Sequence, residues 1–379
     1  MKSSATLFVL LVGLFFSCSK KSEIITIQPL KPNNSAFTAK VIKSIPLSSQ
    51  NEAPIGSINK FLIYKDRIFV LDLEQSIGIM IFSETGKFLK KISLGRGPGE
   101  LIHPNGFNVI DNQLIIVDAP GQPYFKYYTL DGEFLFTKTL PLGWIPYSFE
   151  NYNDKYLLIH GSTDSVIKQD TSRVQKYHII NKKLSKCDQS FIETTDGMGH
   201  LYEFKPISYY DGKFLLLSRP LNYIYQLDDR TLSKKYFIDF ESFNYLEADA
   251  LQGYRHILSL FQEGRRIGLL DHIYENQTLV YFTYASFAKG ADVPVIFSKS
   301  THQSANFDEV LSNCGLPKVE LVQTSGNELI CLFNPGNFDD SSLKNYVAAG
   351  FIPNGTTIDS NPVVMFIEIL SKLPAGIRQ

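Results

Sequence analysis

The chain has 379 residues, 44% of them hydrophobic and 13% aromatic, with 28 Phe and 20 Tyr, so intrinsic disorder is excluded and β-structure is favoured. Its 37 basic and 38 acidic residues leave a net charge of -1, which gives no general electrostatic reason to bind nucleic acid. Length alone does not fix the domain count, because closed β-architectures often run long as one unit.

At the N-terminus, Lys2, an apolar run from Leu7 to Phe16, and Ser17 before Cys18 make the three-part pattern of a secretory signal peptide over residues 1–17. The apolar run is short of the roughly 20 residues that a membrane span needs. F-F-S-C resembles the bacterial lipobox, whose cysteine is acylated and becomes the mature N-terminus, although Phe15 stands where Leu is usual. Several acyl chains on Cys18 would give stable membrane anchoring; the alternative is an ordinary cleaved signal that contains a cysteine. Residues 18–36 are polar, with Pro29, Pro32 and Asn33-Asn34, and read as the lipidated cysteine and a flexible tether. Ser19, Lys20 and Lys21 lack the acidic run that resembles a surface-export signal, which favours the periplasmic side of the outer membrane over the cell surface.

From Phe37 onward, short runs rich in Ile, Val, Leu, Tyr and Phe alternate with turn pairs such as Thr85-Gly86, Asp131-Gly132 and Asp211-Gly212. A unit of three such runs recurs. Its first runs start at Ile68, Leu114, Tyr156, Phe214, Leu279 and Leu329, a spacing of about 42 to 65 residues that suits four-stranded propeller blades with insertions. The expected fold is all-β: residues 37–379 form a six-bladed β-propeller of four-stranded antiparallel blades. The last copy ends with V-V-M-F-I-E-I-L as a third strand, so Phe37 to Leu47 is expected to close that blade as its outer strand and remove an exposed edge. Two short helical insertions are expected over one face of the disc. One has an apolar stripe of Leu251, Tyr254, Leu258 and Phe261, and the other is capped by Ser341 and ends before Gly350.

Cys187, Cys314 and Cys331 show no metal spacing. Cys314 and Cys331 are the pair that could close in an oxidising compartment; buried free thiols are the favoured reading.

Between the first two blades stands L-G-R-G-P-G-E-L-I-H-P-N-G-F-N-V-I, residues Leu94 to Ile110, followed by I-I-V-D. This resembles the NHL-type repeat, and G-R-G-P-G-E resembles the signature of six-bladed propeller lipoproteins of Gram-negative anaerobes. Gly95, Gly97 and Gly99 suit a turn between blades, and a second reading has the loop amides and Arg96 cradle an anion. The resemblance implies, as an alternative function, a metal-dependent lyase or hydrolase working in the central channel with calcium or zinc. Of the seven histidines only His103, His160 and His200 are expected near the axis; none shows a ligand spacing, so no metal ligands and no catalytic residues are assigned. The favoured function is a lipid-anchored cell-envelope module that binds rather than catalyses, because no G-x-S-x-G nucleophile elbow or P-loop is present. It would bind a glycan, a peptide or an envelope protein as a monomer, without nucleic acid, through Arg96, His103, Trp144 and Tyr147.

Overall fold

The computed structural model describes residues 24–48, 54–140, 146–163, 174–184, 187–194, 207–218, 221–250, 252 and 254–372. Six sheets follow one another along the chain, and the first strands of blades one and two, two and three, four and five, five and six, and six and one touch, as in a six-bladed β-propeller. The first strands are Lys60–Tyr64, Pro104–Ile110, Pro146–Asn151, Ile207–Tyr210, Gly268–Glu275 and Glu320–Ser325 in blades one to six. Each run used to define the repeat lies in a second strand: Arg67–Asp72, Gln113–Asp118, Tyr156–Thr163, Lys213–Ser218, Leu279–Ser286 and Glu328–Phe333.

Packing explains why the second strands were the legible ones. In blade one, Ile68 and Val70 pack toward blade six, whereas Phe69 and Leu71 pack toward blade two. In blade two, Leu114 and Ile116 face blade one, and Ile115 and Val117 face blade three. Side chains alternate between faces along a strand, so a strand buried on both faces reads as a continuous apolar run.

The chain closes as the sequence implied. Phe37–Pro46 pairs antiparallel with Val363–Ser371, from Phe37 opposite Ser371 to Pro46 opposite Val363, and forms the outer strand of blade six. The tether reading of residues 18–36 needs correction within its described part. Ile25–Ile27 pairs in parallel with Tyr236–Ile238 and makes blade four five-stranded. The chain then crosses blade five, where Ser304 Oγ donates to the Gln28 carbonyl at 2.8 Å and Asn33 N–H donates to the Ser304 carbonyl at 2.8 Å. The composition showed Pro and Asn, but Ile27 is fully buried, and the free edge of blade four offers it a backbone partner.

Among the described residues, four α-helices interrupt the blades: α1 (Glu247–Ala250), α2 (Tyr254–Gln262), α3 (Phe307–Asn313) and α4 (Asp340–Ala348). Ile257 and Leu260 form the buried side of α2, displaced from the expected stripe. Helix α4 starts before Ser341 because Asp339 is its cap, accepting from Ser341 N at 2.9 Å and Ser342 N at 2.8 Å. Helix α3 was not anticipated. Its cap is Asn306, which accepts from Glu309 N at 3.0 Å. No helix of the described residues is long and apolar enough to cross a membrane. Cys314 and Cys331 are free thiols.

Strand direction sorts the connections. First-to-second and third-to-fourth turns lie on one face and are short, as at Asp111-Asn112 and Asp211-Gly212. Second-to-third connections and crossings between blades lie on the opposite face, and all four helices fall in them.

Candidate functional site

The loop-bearing face holds a cavity of about 530 Å³ at the junction of blades five and six, rimmed by residues 55–58 of the crossing into blade one. Blade five supplies His272, Tyr281, Thr283 and Asp292; Asp308 comes from α3, and Lys318 and Glu320 come from the crossing into blade six. Three carboxylates, one lysine and one histidine therefore line the same space.

The inner strand of blade five is irregular at this point. Its pairing with Leu279–Ser286 shifts between Gly268 and Leu270 and again between Asp271 and Tyr274. Leu269 and His272 take φ values of +53° and +45°, within the region that L side chains rarely occupy. Such bulges re-aim side chains and concentrate near functional sites. The bulge at His272 is held by its own N–H, which donates to Asp271 Oδ1 at 2.7 Å. It turns the imidazole so that Nδ1 lies 3.4 Å from Thr283 Oγ1 and 3.5 Å from Asp271 Oδ1. Both neighbours address the same ring nitrogen. A nucleophile relay requires the hydroxyl on one nitrogen and the carboxylate on the other, so these three residues are not a triad.

Tyr281 is buried, its ring fixed against Tyr274 and Phe307 at centroid distances of 6.0 and 5.6 Å. Burial, then the neighbouring Cys331, Tyr274, Asp308 and Glu320, hold its phenol well above the ordinary range, so it presents a neutral hydroxyl. Asp308 Oδ2 takes Lys318 Nζ at 2.9 Å, while its Oδ1 is buried without a hydrogen-bond partner. Among the described residues, no three His, Cys, Asp or Glu side chains converge to hold a metal ion.

A second polar group lies where the inner strands of blades one to three meet. Asn108 Nδ2 donates to the Phe149 carbonyl at 2.7 Å and to Glu150 Oε2 at 2.8 Å. Lys60 Nζ stands 5.7 Å from the Phe107 ring centroid and 6.0 Å from that of Phe149. Burial raises the Glu150 carboxyl, against the opposing pull of Lys60 and Asn108. Similar ties join other inner strands. Tyr274 OH donates to the Val322 carbonyl at 2.9 Å, and Gln323 pairs with both the N–H and the carbonyl of Ile63 at 2.8 and 3.1 Å. These groups satisfy backbone at the free inner edges of the sheets.

The glycine-rich crossing is closed on itself. Glu100 Oε2 accepts from Gly97 N at 2.7 Å, and Gly95 N donates to the Leu101 carbonyl at 2.8 Å. The loop's own carboxylate thus fills the place that the anion-cradle reading gave to a ligand. Arg96 and His103 are exposed on this crossing and do not line the cavity. The backbone N–H of His103 donates to Asp118 Oδ1 at 2.6 Å. Tyr147 belongs to the inner strand of blade three, and His160 to its second strand rather than its innermost. Trp144, His200 and Cys18 lie outside the described residues. The sequence reading missed His272, Tyr281, Asp292, Asp308 and Glu320; the Asp271-His272 pair before the run at Leu279 was the available signal, hidden because the repeat was anchored on second strands.

The comparisons follow this geometry. The family described as Domain of unknown function (DUF4934) matches residues 23–368. The chain belongs to the DUF4934 family. Its similarity to solved structures shows the propeller fold: a protein of Bacteroides fragilis NCTC 9343, named as an exported protein, is 16% identical with a TM-score of 0.68 and covers 92% of this chain and 100% of its own. A protein of unknown function from Bacteroides caccae is 12% identical with a TM-score of 0.41, over 67% of this chain and 82% of its own. No curated protein matches this DUF4934 chain.

Proposed function

We propose that the chain is a lipid-anchored cell-envelope propeller, acylated at Cys18 and held on the periplasmic side of the outer membrane, that binds a ligand in the cavity between blades five and six. The observation that carries this reading is the cavity itself. At about 530 Å³ it falls within the range of roughly 300–1,000 Å³ typical of small-molecule sites. Apolar and polar side chains line it together, and the strained backbone at His272 orients one of them. A glycan, a peptide or an envelope-protein segment would fit the cavity, and the exposed Arg96 and His103 would contact a larger partner at the rim of the same face. The lipobox-like F-F-S-C and the NHL-like crossing between blades one and two support the envelope assignment.

Two measurements test it. Fatty-acid labelling in the native host should mark the wild-type protein and not Cys18→Ala, whose signal in the membrane fraction should fall. A fragment library screened by ligand-observed NMR should give binders that Ser57→Trp, at the cavity rim, displaces. Binders indifferent to Ser57→Trp would refute the site.

A further inference from the structure

We propose that this cavity takes its ligand through a positively charged nitrogen, a primary ammonium or a guanidinium, placed among Asp292, Asp308 and Glu320 beside the hydroxyl of Tyr281. The inference rests on the reading of the cavity as a binding site and adds the chemistry of what enters it.

Three carboxylates around one space do not by themselves make a site, because such groups are often simply solvated. Tyr281 supplies the independent observation. It is only 5% exposed and lines the cavity, and its hydroxyl makes no hydrogen bond among the described residues. A buried tyrosine hydroxyl ordinarily finds a partner. Cys331, Tyr274, Asp308 and Glu320 act on the phenol through their charge, and of these Asp308 and Glu320 line the cavity with it. Such a lining suits a donor-rich cation, which gives N–H bonds to carboxylate and phenol oxygens together.

Lys318 shows the same chemistry from within the chain. Its ammonium lies 2.9 Å from Asp308 Oδ2, while its side chain remains 71% exposed. An exposed ion pair of this kind contributes little and is readily exchanged. Lys318 Nζ therefore occupies the position that the ligand's charged nitrogen would take from it. Helix α3 fixes the acceptor side, because Asp308 sits in its first turn behind the Asn306 cap.

The test uses Nα-acetyl-arginine amide and Nα-acetyl-lysine amide against Nα-acetyl-citrulline amide, which keeps the arginine shape without the charge, measured by titration calorimetry on the mature protein. The cationic probes should bind at least ten-fold more tightly than the citrulline probe. Asp308→Asn and Glu320→Gln should each remove most of that preference. Lys318→Met, at an exposed position where folding is not at risk, should tighten the cationic probes at least two-fold by removing the internal competitor. Equal affinity for the citrulline probe, abolished by Ser57→Trp, would overturn the charge preference and leave the cavity as a binding site. Failure of all three probes to bind would overturn the charge preference, and binding that Ser57→Trp does not alter would overturn both readings.

Discussion

The carboxylate of Glu275 lies 2.9 Å from the ammonium of Lys299, at the end of blade five's inner strand where only 2% of the Glu275 side chain is exposed. Lys235 and the Tyr236 hydroxyl reach the same carboxylate from blade four, at 3.1 and 3.0 Å. One buried group thus ties two blades together. Removing one partner of a buried ion pair leaves the remaining charges uncompensated, at a cost of about 3–5 kcal/mol. Glu275→Ala should lower stability by that order in urea unfolding, with increased amide exchange at the junction of blades four and five. A loss below about 1 kcal/mol would show that the network is dispensable.

Asp72 ends the second strand of blade one and is fully buried. Its carboxylate accepts backbone N–H from Gly56 at 2.9 Å, Glu74 at 2.7 Å, and Gln75 and Ser76 at 3.1 Å each. Burial alone raises its pKa, but the four N–H groups outweigh burial and hold it below the usual carboxylate range. A depressed folded-state pKa means that this stabilisation is complete above the unfolded value of about 3.9 and disappears as pH falls through the folded value. Asp72→Asn should therefore cost about 1–3 kcal/mol at neutral pH and flatten the acid limb of the stability curve. Urea midpoints measured from pH 7 to pH 3 will check this; parallel acid limbs in the variant and the wild type would remove Asp72 as their cause.

The repeat was legible because its second strands are buried on both faces and read as continuous apolar runs. Asp72 and Asp118 end equivalent second strands, and each clamps the crossing loop that enters its blade, Asp118 through Ile102 N and His103 N. The ring closure was legible because a third strand at the C-terminus and an unpaired strand at the N-terminus need each other. The cavity was not legible. Its walls come from residues 55–58, the inner strand of blade five, α3 and the crossing into blade six, which only the closed ring brings together. The backbone turn at His272 was equally hidden, because neither Asp nor His at that position has the glycine that usually signals a positive φ.

Gly99 makes the crossing between blades one and two intolerant of side chains. It has a φ of +78°, and a Cβ there would lie 2.6 Å from Phe134 Cβ. Neither atom is the end of a flexible chain, so blade two's outer strand or the loop would have to move. Gly99→Ala should cost at least about 1–3 kcal/mol, the range for a non-glycine residue forced into a sparse backbone region. Glu100→Ala, which removes the acceptor for Gly97 N, should cost about 1 kcal/mol, a typical single hydrogen bond. Thermal melts of the two variants will rank them; a Gly99→Ala protein as stable as wild type would show that the crossing relaxes freely.

The N-terminal strap offers the last test, because Ile25–Ile27 adds a strand to blade four without belonging to the repeat. Ile27 is 0% exposed and packs with Ile224, Tyr236 and Ile238 of blade four. Its backbone continues the sheet, with Asp239 N donating to the Ile27 carbonyl at 2.8 Å. Ile27→Ala should cost about 2–5 kcal/mol if the strap shares the cooperative core. Were the strap only to dock on a finished propeller, the same substitution would free the segment and leave the unfolding midpoint nearly unchanged. Amide exchange distinguishes the two cases: a cooperative strap protects Tyr236–Ile238 to the same degree as the rest of blade four, and loses that protection only on global unfolding.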